Sequence, residues 1–414
     1  MNCAANESTG RLAPFRYVRS LGWLSSLNLA TENVLKSQSH TTDLVFTTAG
    51  LAVREVSVRS VDAAFEQQWM RLESASLDGN AFLSPSFVRS LERNLPQKTS
   101  PFIVAIEEET AGTLTGLGVF EEVRGSRLLP MTHLRSWETE FGFTAGFLLD
   151  ACHAEATAAA LFGWLKANGN RWNGLAFSNL PAESQNTQVL LASAERAGHS
   201  WREDSRSARA CLRVAEIPDD VMTLYSKSRR KSLRQNLRKL ESHGEVRFRI
   251  HTQDSDGRLL GEFLRLESSG WKGEGNTALG SDSNLTAFSR EWTTALNESG
   301  QLAICELSVD GRSVAMSLNP ICGETMFAFK IGWEESFAAC SPGTLCEWLT
   351  LQSLQSHLPQ IRFVDSCSQP GSYVEKIWPW TFELTDGVFP TTWPGSLAVD
   401  SMLRIKQVKR LLRG

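Results

Sequence analysis

One succession of elements occurs twice in this chain, and it restricts the possible folds more than any single motif does. In the first half, LAVREVSV from Leu51 reads as a strand, and Phe65, Trp69 and Leu72 then recur at helical spacing. Ser84-Pro85 predicts a helix start, a capping hydroxyl followed by a proline whose missing N–H is not needed there. PFIVAIEEE and TLTGLGVFEEV read as strands around Ala111-Gly112, a helix is expected from about Ala154 to Ala167, and GLAFSNL is the strand after it. In the second half, a helix over 258–269 carries Leu259, Leu260, Phe263, Leu264 and Leu266 and stops at Gly270. The next carries Leu285, Phe288, Trp292 and Leu296 and stops at Gly300. LAICELSV and SVAMSLNP around Asp310-Gly311 give the strongest hairpin signal; ETMFAFKIGW is a further strand, a helix starts at Ser341-Pro342, and IRFVDS follows as a strand. Gly112 and Gly311 are 199 residues apart, and the strands at Leu175 and Ile361 are 186 apart. An offset near 190 predicts a duplicated α/β unit, too long a period for a solenoid; chance likeness of common elements is the competing explanation.

A length of 414 residues and a mass of 45.9 kDa suit two to three domains. With 42% hydrophobic and 21% charged residues, the composition excludes a mainly disordered chain. No run of 18 apolar residues is present, which excludes a membrane-spanning helix. The net charge of −4 hides an uneven distribution. Residues 226–240 hold seven Lys or Arg and no acid, and Met402 to Gly414 hold five and no acid; the rest has 30 bases and 46 acids, −16. The eight cysteines are scattered without a C-x-x-C pair, and Cys305 in LAICEL suits a buried reduced thiol. The histidines show no metal-ligand spacing. A reducing, cytoplasmic compartment and no metal are therefore expected. Residues 1–50 have Arg11, Arg16 and Arg19, few acids, much Ser and Thr, and no continuous apolar stretch of a secretory signal; they are expected to be a poorly ordered leader.

Four places could carry chemistry. Ser341-Pro342-Gly343-Thr344-Leu345 predicts a helix N-terminus, whose free N–H groups and positive dipole end suit a phosphate or pyrophosphate, with Gly343 admitting a ligand close to the backbone. The same residues also describe a plain capped helix. Trp271-Lys272-Gly273-Glu274-Gly275 is a loop that could close on a substrate, Trp271 stacking and Lys272 contacting an anion, or a surface loop after a helix end. Asp365 ends the strand IRFVDS, where α/β proteins tend to place reactive groups, and Tyr373 and Lys376 follow. Lys376, beside Ile377-Trp378-Pro379-Trp380, could be partly desolvated and balance an oxyanion, or lie along tryptophan with its ammonium in water. In 226–240, Leu233, Leu237 and Leu240 make an amphipathic helix with a cationic face, which could hold phosphates of a nucleotide-linked substrate, RNA or anionic lipid, or be a face compensated by nearby acids. VKRLLR near the C-terminus is a smaller membrane-surface candidate.

The basic helix ending in RKLESHGEVRFRI, then FLRLESSGWKGEGNTA, VDGRSVAMSL, FKIGWEESFAACSPGTL and VD…YVEKIW stand in the order seen in the CelD/BcsL-like acetyltransferases. Those proteins are related to the GNAT superfamily and similar to the FemAB tandem-GNAT group. The resemblance is specific over about 222–385 and weaker over 51–215, where FLSPSFVRSL and GLAFSNLPAESQ still fit; nothing before residue 50 is covered. It implies an α/β fold of two tandem GNAT-like (acyl-CoA N-acyltransferase) domains with mixed central sheets. The corresponding boundaries are a leader 1–50, an N-terminal domain 51–215, a C-terminal acyltransferase domain 216–398 and a basic tail 399–414. It also implies transfer from acetyl-CoA or another acyl-CoA to an amine or hydroxyl, with a link to exopolysaccharide or cell-envelope biosynthesis. The donor's pyrophosphate is then expected on Ser341 to Leu345. Lys376 corresponds to a lysine expected to steady an oxyanion, and Asp365 is the expected general base or acceptor-orienting group. Lys272, Arg229 and Arg230, with Trp271 and Tyr373, are expected to hold an anionic small-molecule or saccharide acceptor. The usual GNAT pyrophosphate signature has an Arg or Gln and spaced glycines, and only Gly343 stands here, so the aminoacyl-tRNA donor of FemAB proteins remains an alternative. A non-catalytic GNAT-fold module binding an anionic partner is another. Peripheral contact with a membrane is compatible with either basic segment.

Overall fold

Period-two apolar patterning builds the strands of this chain, and helical apolar stripes cover them. The computed structural model describes residues 46–97, 99–125, 131–269 and 278–411. The first half runs β1 (Phe46–Thr48), β2 (Leu51–Ser57), α1 (Ala63–Ala75), α2 (Pro85–Asn94), β3 (Phe102–Glu108), β4 (Leu114–Val123) and β5 (His133–Ser136). It continues with β6 (Leu148–Leu149), α3 (Ala154–Ala167), β7 (Gly174–Pro181), α4 (Gln185–Arg196) and β8 (Arg202–Arg213). The second half runs α5 (Lys227–Glu241), β9 (Val246–His251), α6 (Arg258–Ser268), α7 (Ser283–Glu298), β10 (Leu302–Val309), β11 (Arg312–Cys322), β12 (Thr325–Phe327) and β13 (Lys330–Trp333). It closes with α8 (Pro342–His357), β14 (Phe363–Asp365), β15 (Trp380–Pro390) and α9 (Trp393–Leu411). Strand, two helices, hairpin, further strand, helix, strand and closing strand thus occur in the same order twice. Both hairpin turns use the left-handed glycine that the sequence suggests, Gly112 at φ +64 and Gly311 at φ +78. β1 lies inside the segment expected to be a leader, whose residues 1–45 fall outside the described residues. The expected basic tail begins within α9.

The fifteen strands among the described residues join one sheet in the order β1-β2-β3-β4-β5-β7-β15-β8-β14-β12-β11-β10-β9, with β13 against β11 and β6 against β4. Two contacts are parallel, β5 with β7 and β12 with β14, and they occupy equivalent places in the two halves. The other strand contacts are antiparallel, so the sheet is mixed. Its middle is an exchange. β15, last in the second half, pairs with β7 of the first (Phe389 opposite Leu175), and β8, last in the first half, pairs with β14 of the second (Val364 opposite Leu212). β8 and β15 also pair with each other, from Trp380 opposite Cys211 to Val388 opposite Arg202.

The helices divide the core unevenly. On one face α1 and α2 of the first half and α6 and α7 of the second share one apolar cluster, with Phe87 and Trp292 ring centroids 4.9 Å apart and Phe82 and Phe327 5.2 Å apart. On the other face α3 covers one cluster and α5 with α8 covers a second. Alternation decides the sides: Ile103 and Ala105 of β3 enter the shared cluster, Val104 and Ile106 the one under α3.

Candidate functional site

The expected single strand ETMFAFKIGW is two strands, β12 and β13, interrupted at Ala328-Phe329. On one side both pair with β11. On the other side β12 runs parallel to β14 as far as Phe327 opposite Asp365, and the Ala328 N–H donates to the Asp365 carbonyl at 2.8 Å. Beyond that bond no strand among the described residues pairs with β13 on this side. The strands part there and leave a wedge with its narrow end at Ala328 and Asp365.

The N-terminus of α8 stands at the mouth of the wedge. Its position follows the sequence signal, since Pro342 is the first helical residue. The expected cap is corrected: the Ser341 side chain accepts no hydrogen bond from the helix. The 3₁₀ turn Glu335–Cys340 leads in with the Ser341 N–H bonded to the Ala338 carbonyl, and this puts Ser341 in the left-handed region at φ +51, outside the extended geometry a capping serine needs. No acid lies in the first turn. A methyl group on Gly343 would come within 3.3 Å of the Trp333 ring and 3.6 Å of Ile331, so the first turn of α8 rests directly on β13. A positive helix end with neither a side-chain cap nor a neighbouring carboxylate suits a pyrophosphate.

The wedge's other wall is the segment after β14. Asp365 is 2% exposed. Its Oδ2 accepts from Arg209 Nη1 and from Thr144 Oγ1, each at 3.0 Å, and its Oδ1 accepts from the Cys367 N–H at 2.8 Å. Arg209, on β8, also donates to the Phe143 carbonyl at 2.9 Å. Three hydrogen bonds from the chain's own donors thus hold this buried carboxylate, an arrangement that suits positioning of the end of β14. Cys367 adopts φ +52, so each side of the wedge has a non-glycine residue in the left-handed region, a costly conformation that clusters at working sites.

Tyr373 to Lys376 form a 3₁₀ turn packed on α8. Tyr373 is 41% exposed as a residue, yet burial, and then the charges of Glu347 and Cys346, push its phenol well above the ordinary tyrosine range. Lys376 is exposed, which corrects the expected partial desolvation; Ile377 and Trp378 take the buried places instead. The Ile377 carbonyl accepts from the Tyr225 hydroxyl at 2.9 Å, and burial pushes that phenol up to about 12, with Arg229 acting in the opposite direction. This bond ties the start of α5 to the turn that carries Lys376.

α5 is the basic helix, with Leu233 and Leu240 buried beneath it. It packs against α8 and the 3₁₀ turn before it. Many arginines elsewhere are paired, for example Arg171 with Glu55, Arg206 with Glu203 and Glu383, and Arg265 with Glu262 and Glu334. Among the described residues, none of the seven cations on α5 has an ion-pair partner. No ion pair among the described residues compensates this face, although Glu241 ends the helix, and Arg229 Nε is buried without a hydrogen-bond partner. The structure brings Arg229, Tyr373, Lys376 and Ser341–Leu345 to one end of the second half. Trp271 and Lys272 lie outside the described residues.

Arg209 and Tyr225 were not singled out from sequence. Arg209 stands as a lone cation in the strand SARACL, and Tyr225 is one of three tyrosines in the chain; both are signals of buried polar partners.

Residues 227–367 match a family model described as an acetyltransferase (GNAT) domain. The fold is that of FemX, with 12% identity, 80% of this chain and 97% of that one covered, and a TM-score of 0.52. It is likewise similar to the C-terminal domain (DUF2156) of a protein named as a lysylphosphatidylglycerol synthetase from Agrobacterium fabrum, with 11% identity, 84% and 95% covered, and a TM-score of 0.50. No curated protein matches the chain by sequence.

Proposed function

We propose that this protein, a tandem GNAT fold whose second half carries the GNAT domain, transfers an acetyl or other acyl group from acyl-CoA to an amine or hydroxyl acceptor. The observation that carries the proposal is the N-terminus of α8, uncapped and without an acid, at the mouth of the wedge between β13 and β14. In this reading the pyrophosphate lies on the N–H groups of Gly343 and Thr344, and the thioester reaches along the wedge toward Ala328. The acceptor's lone pair forms a bond to the thioester carbon while the carbon–sulfur bond breaks and its electron pair leaves with sulfur. Tyr373 would hand its phenol proton to the departing thiolate and take up the proton that the acceptor loses as the new bond forms, so that the step closes with a free thiol and a neutral product. Lys376, on the rim, would balance the negative charge developing on the carbonyl oxygen. Asp365, committed to Arg209, would act by positioning the end of β14. Arg229 and Arg230 would hold an anionic acceptor, for which a saccharide of the cell envelope is one candidate class. The compartment consistent with this chemistry is the cytoplasm, where acyl-CoA is made.

Calorimetric titration of the full chain with acetyl-CoA tests the donor. Saturable binding with density at Ser341 after a crystal soak supports it, and no binding at any concentration of acetyl-CoA sinks it. The unpaired cations of α5 favour one second reading, an aminoacyl-tRNA donor. That reading requires RNA binding that weakens steeply with salt, and its absence would remove it.

A further inference from the structure

Six large apolar residues are exposed among the described residues, and four of them lie on α9: Trp393 at 75%, Leu397 at 49%, Ile405 at 50% and Val408 at 55%. At 100° per residue these four fall within a third of the helix circumference, and from Trp393 to Val408 they extend about 22 Å. They form one continuous stripe. The helix is not free to turn the stripe inward, because its opposite face is already fixed. On that face Val399 is buried and Lys406 donates to Asp204 at 2.5 Å, while on the flank of the stripe Asp400 accepts from Arg202 at 2.8 Å. A Cβ on Gly395 would stand 2.3 Å from the Asn173 carbonyl, so the first turn of α9 sits against the body without space between.

Charge selects the occupant. Within the stripe the charged residue is Arg404, exposed and without an ion-pair partner among the described residues. The sequence from Met402 to Gly414 holds five cations and no acid, and with Lys406 paired to Asp204 four remain. A second copy of the chain would bring these cations together. The chain's own residues 1–45 hold Arg11, Arg16, Arg19 and Lys36 against three acids, which offers no complementary charge either. An anionic bilayer meets both features, since its headgroups pair with the cations and its acyl boundary takes up tryptophan and the aliphatic side chains.

We propose that α9 is a membrane-surface helix that docks the protein, with Trp393, Leu397, Ile405 and Val408 facing the lipid, on a bilayer containing anionic headgroups. The proposal is independent of the acyl-transfer reading, and its test is separable from the acetyl-CoA titration. Flotation of the full chain is measured with vesicles of phosphatidylcholine alone and of phosphatidylcholine with phosphatidylglycerol. The expected result is binding to the phosphatidylglycerol vesicles only, lowered more than tenfold by Trp393→Ser with Leu397→Ser, lowered severalfold by Arg404→Glu, and weakened by salt. The circular-dichroism spectrum and thermal unfolding midpoint should be unchanged in both variants, which shows that they fold. Absence of binding to phosphatidylglycerol vesicles overturns the proposal. So does vesicle binding that survives the double substitution, whether α5 or another surface carries it. A concentration-dependent dimer in sedimentation that the double substitution abolishes assigns the stripe to a second copy and likewise overturns it.

Discussion

The helices α3 and α8 occupy equivalent places in the two halves, each in the connection between the two strands of a parallel pair, β5 with β7 and β12 with β14, and their N-termini differ. At α3 the approach is acidic and filled. Glu155 is in the first turn, and the Asp150 carboxylate accepts from the Cys152 N–H at 2.9 Å and sits 2.8 Å from a His153 ring nitrogen. A Cβ on Gly116 would meet Phe147 at 2.8 Å and Thr157 at 2.4 Å, so aromatic packing occupies the space beside β4. Neither N-terminus has a side-chain cap, but at α8 the first turn holds no acid and the wedge beside β13 has no strand in it among the described residues. One fold used twice thus offers a helix dipole twice, and only the second half leaves it to an anion. The first half serves as a buttress: its α1 and α2 complete the core over α6 and α7, and its β8 supplies the arginine that holds Asp365.

The strongest test of that division is at the seam. Arg209→Met leaves Asp365 charged and buried, and should lower stability by about 3–5 kcal/mol in urea unfolding. A loss below about 1 kcal/mol would mean that solvent reaches the pair. Trp292→Ala, in the core shared by both halves, should cost roughly 3–5 kcal/mol and keep one unfolding transition by circular dichroism and fluorescence alike. Two separated transitions would show that the halves fold independently and that the buttress is not needed. A smaller effect distinguishes the two helix ends directly. Thr344→Glu gives α8 the first-turn acid that α3 has, which favours the helix by about 0.3–1 kcal/mol but repels a pyrophosphate. Acetyl-CoA affinity should fall at least tenfold, about 1.4 kcal/mol, while Glu155→Thr leaves the titration unchanged. An unaffected Thr344→Glu would move the donor away from α8.

The smallest effect concerns a buried acid on α1. Burial raises the Glu73 carboxyl, although hydrogen bonds from Gln301 and Cys322 act to lower it. A folded pKa above the unfolded one means that this group's stabilisation is complete below about pH 4.3 and is lost as pH rises through the folded value. Glu73→Gln should remove that loss, so its unfolding midpoint should exceed that of the wild type progressively above pH 4.3. Equal pH profiles for the two proteins would show that Glu73 ionises freely.

Much of this was legible locally. The apolar spacing of Leu259, Leu260 and Phe263 marked α6, Asp310-Gly311 marked the turn between β10 and β11, and Pro342 marked the start of α8, because hydrophobic period, turn chemistry and proline geometry act within a few residues. The break at Ala328-Phe329 was not legible, since those residues suit a continuous strand and only the neighbouring β14 decides where pairing ends. Asp365 is marked in the sequence by its position at a strand end, but its pairing is not legible there because its partner, Arg209, is 156 residues away.

By itself the sequence determined a doubled α/β order, two cationic segments and a helix start without an acid in its first turn. Only the tertiary structure decided that the halves exchange β8 and β15, that one wedge is filled and the other open, and that α5's charges go unpaired while Asp365's is neutralised. The physical reason is range. Periodicity and capping act along one element, whereas strand exchange, burial and ion pairing depend on residues brought together from both halves, and their outcome is set by which surfaces remain once the shared core has formed.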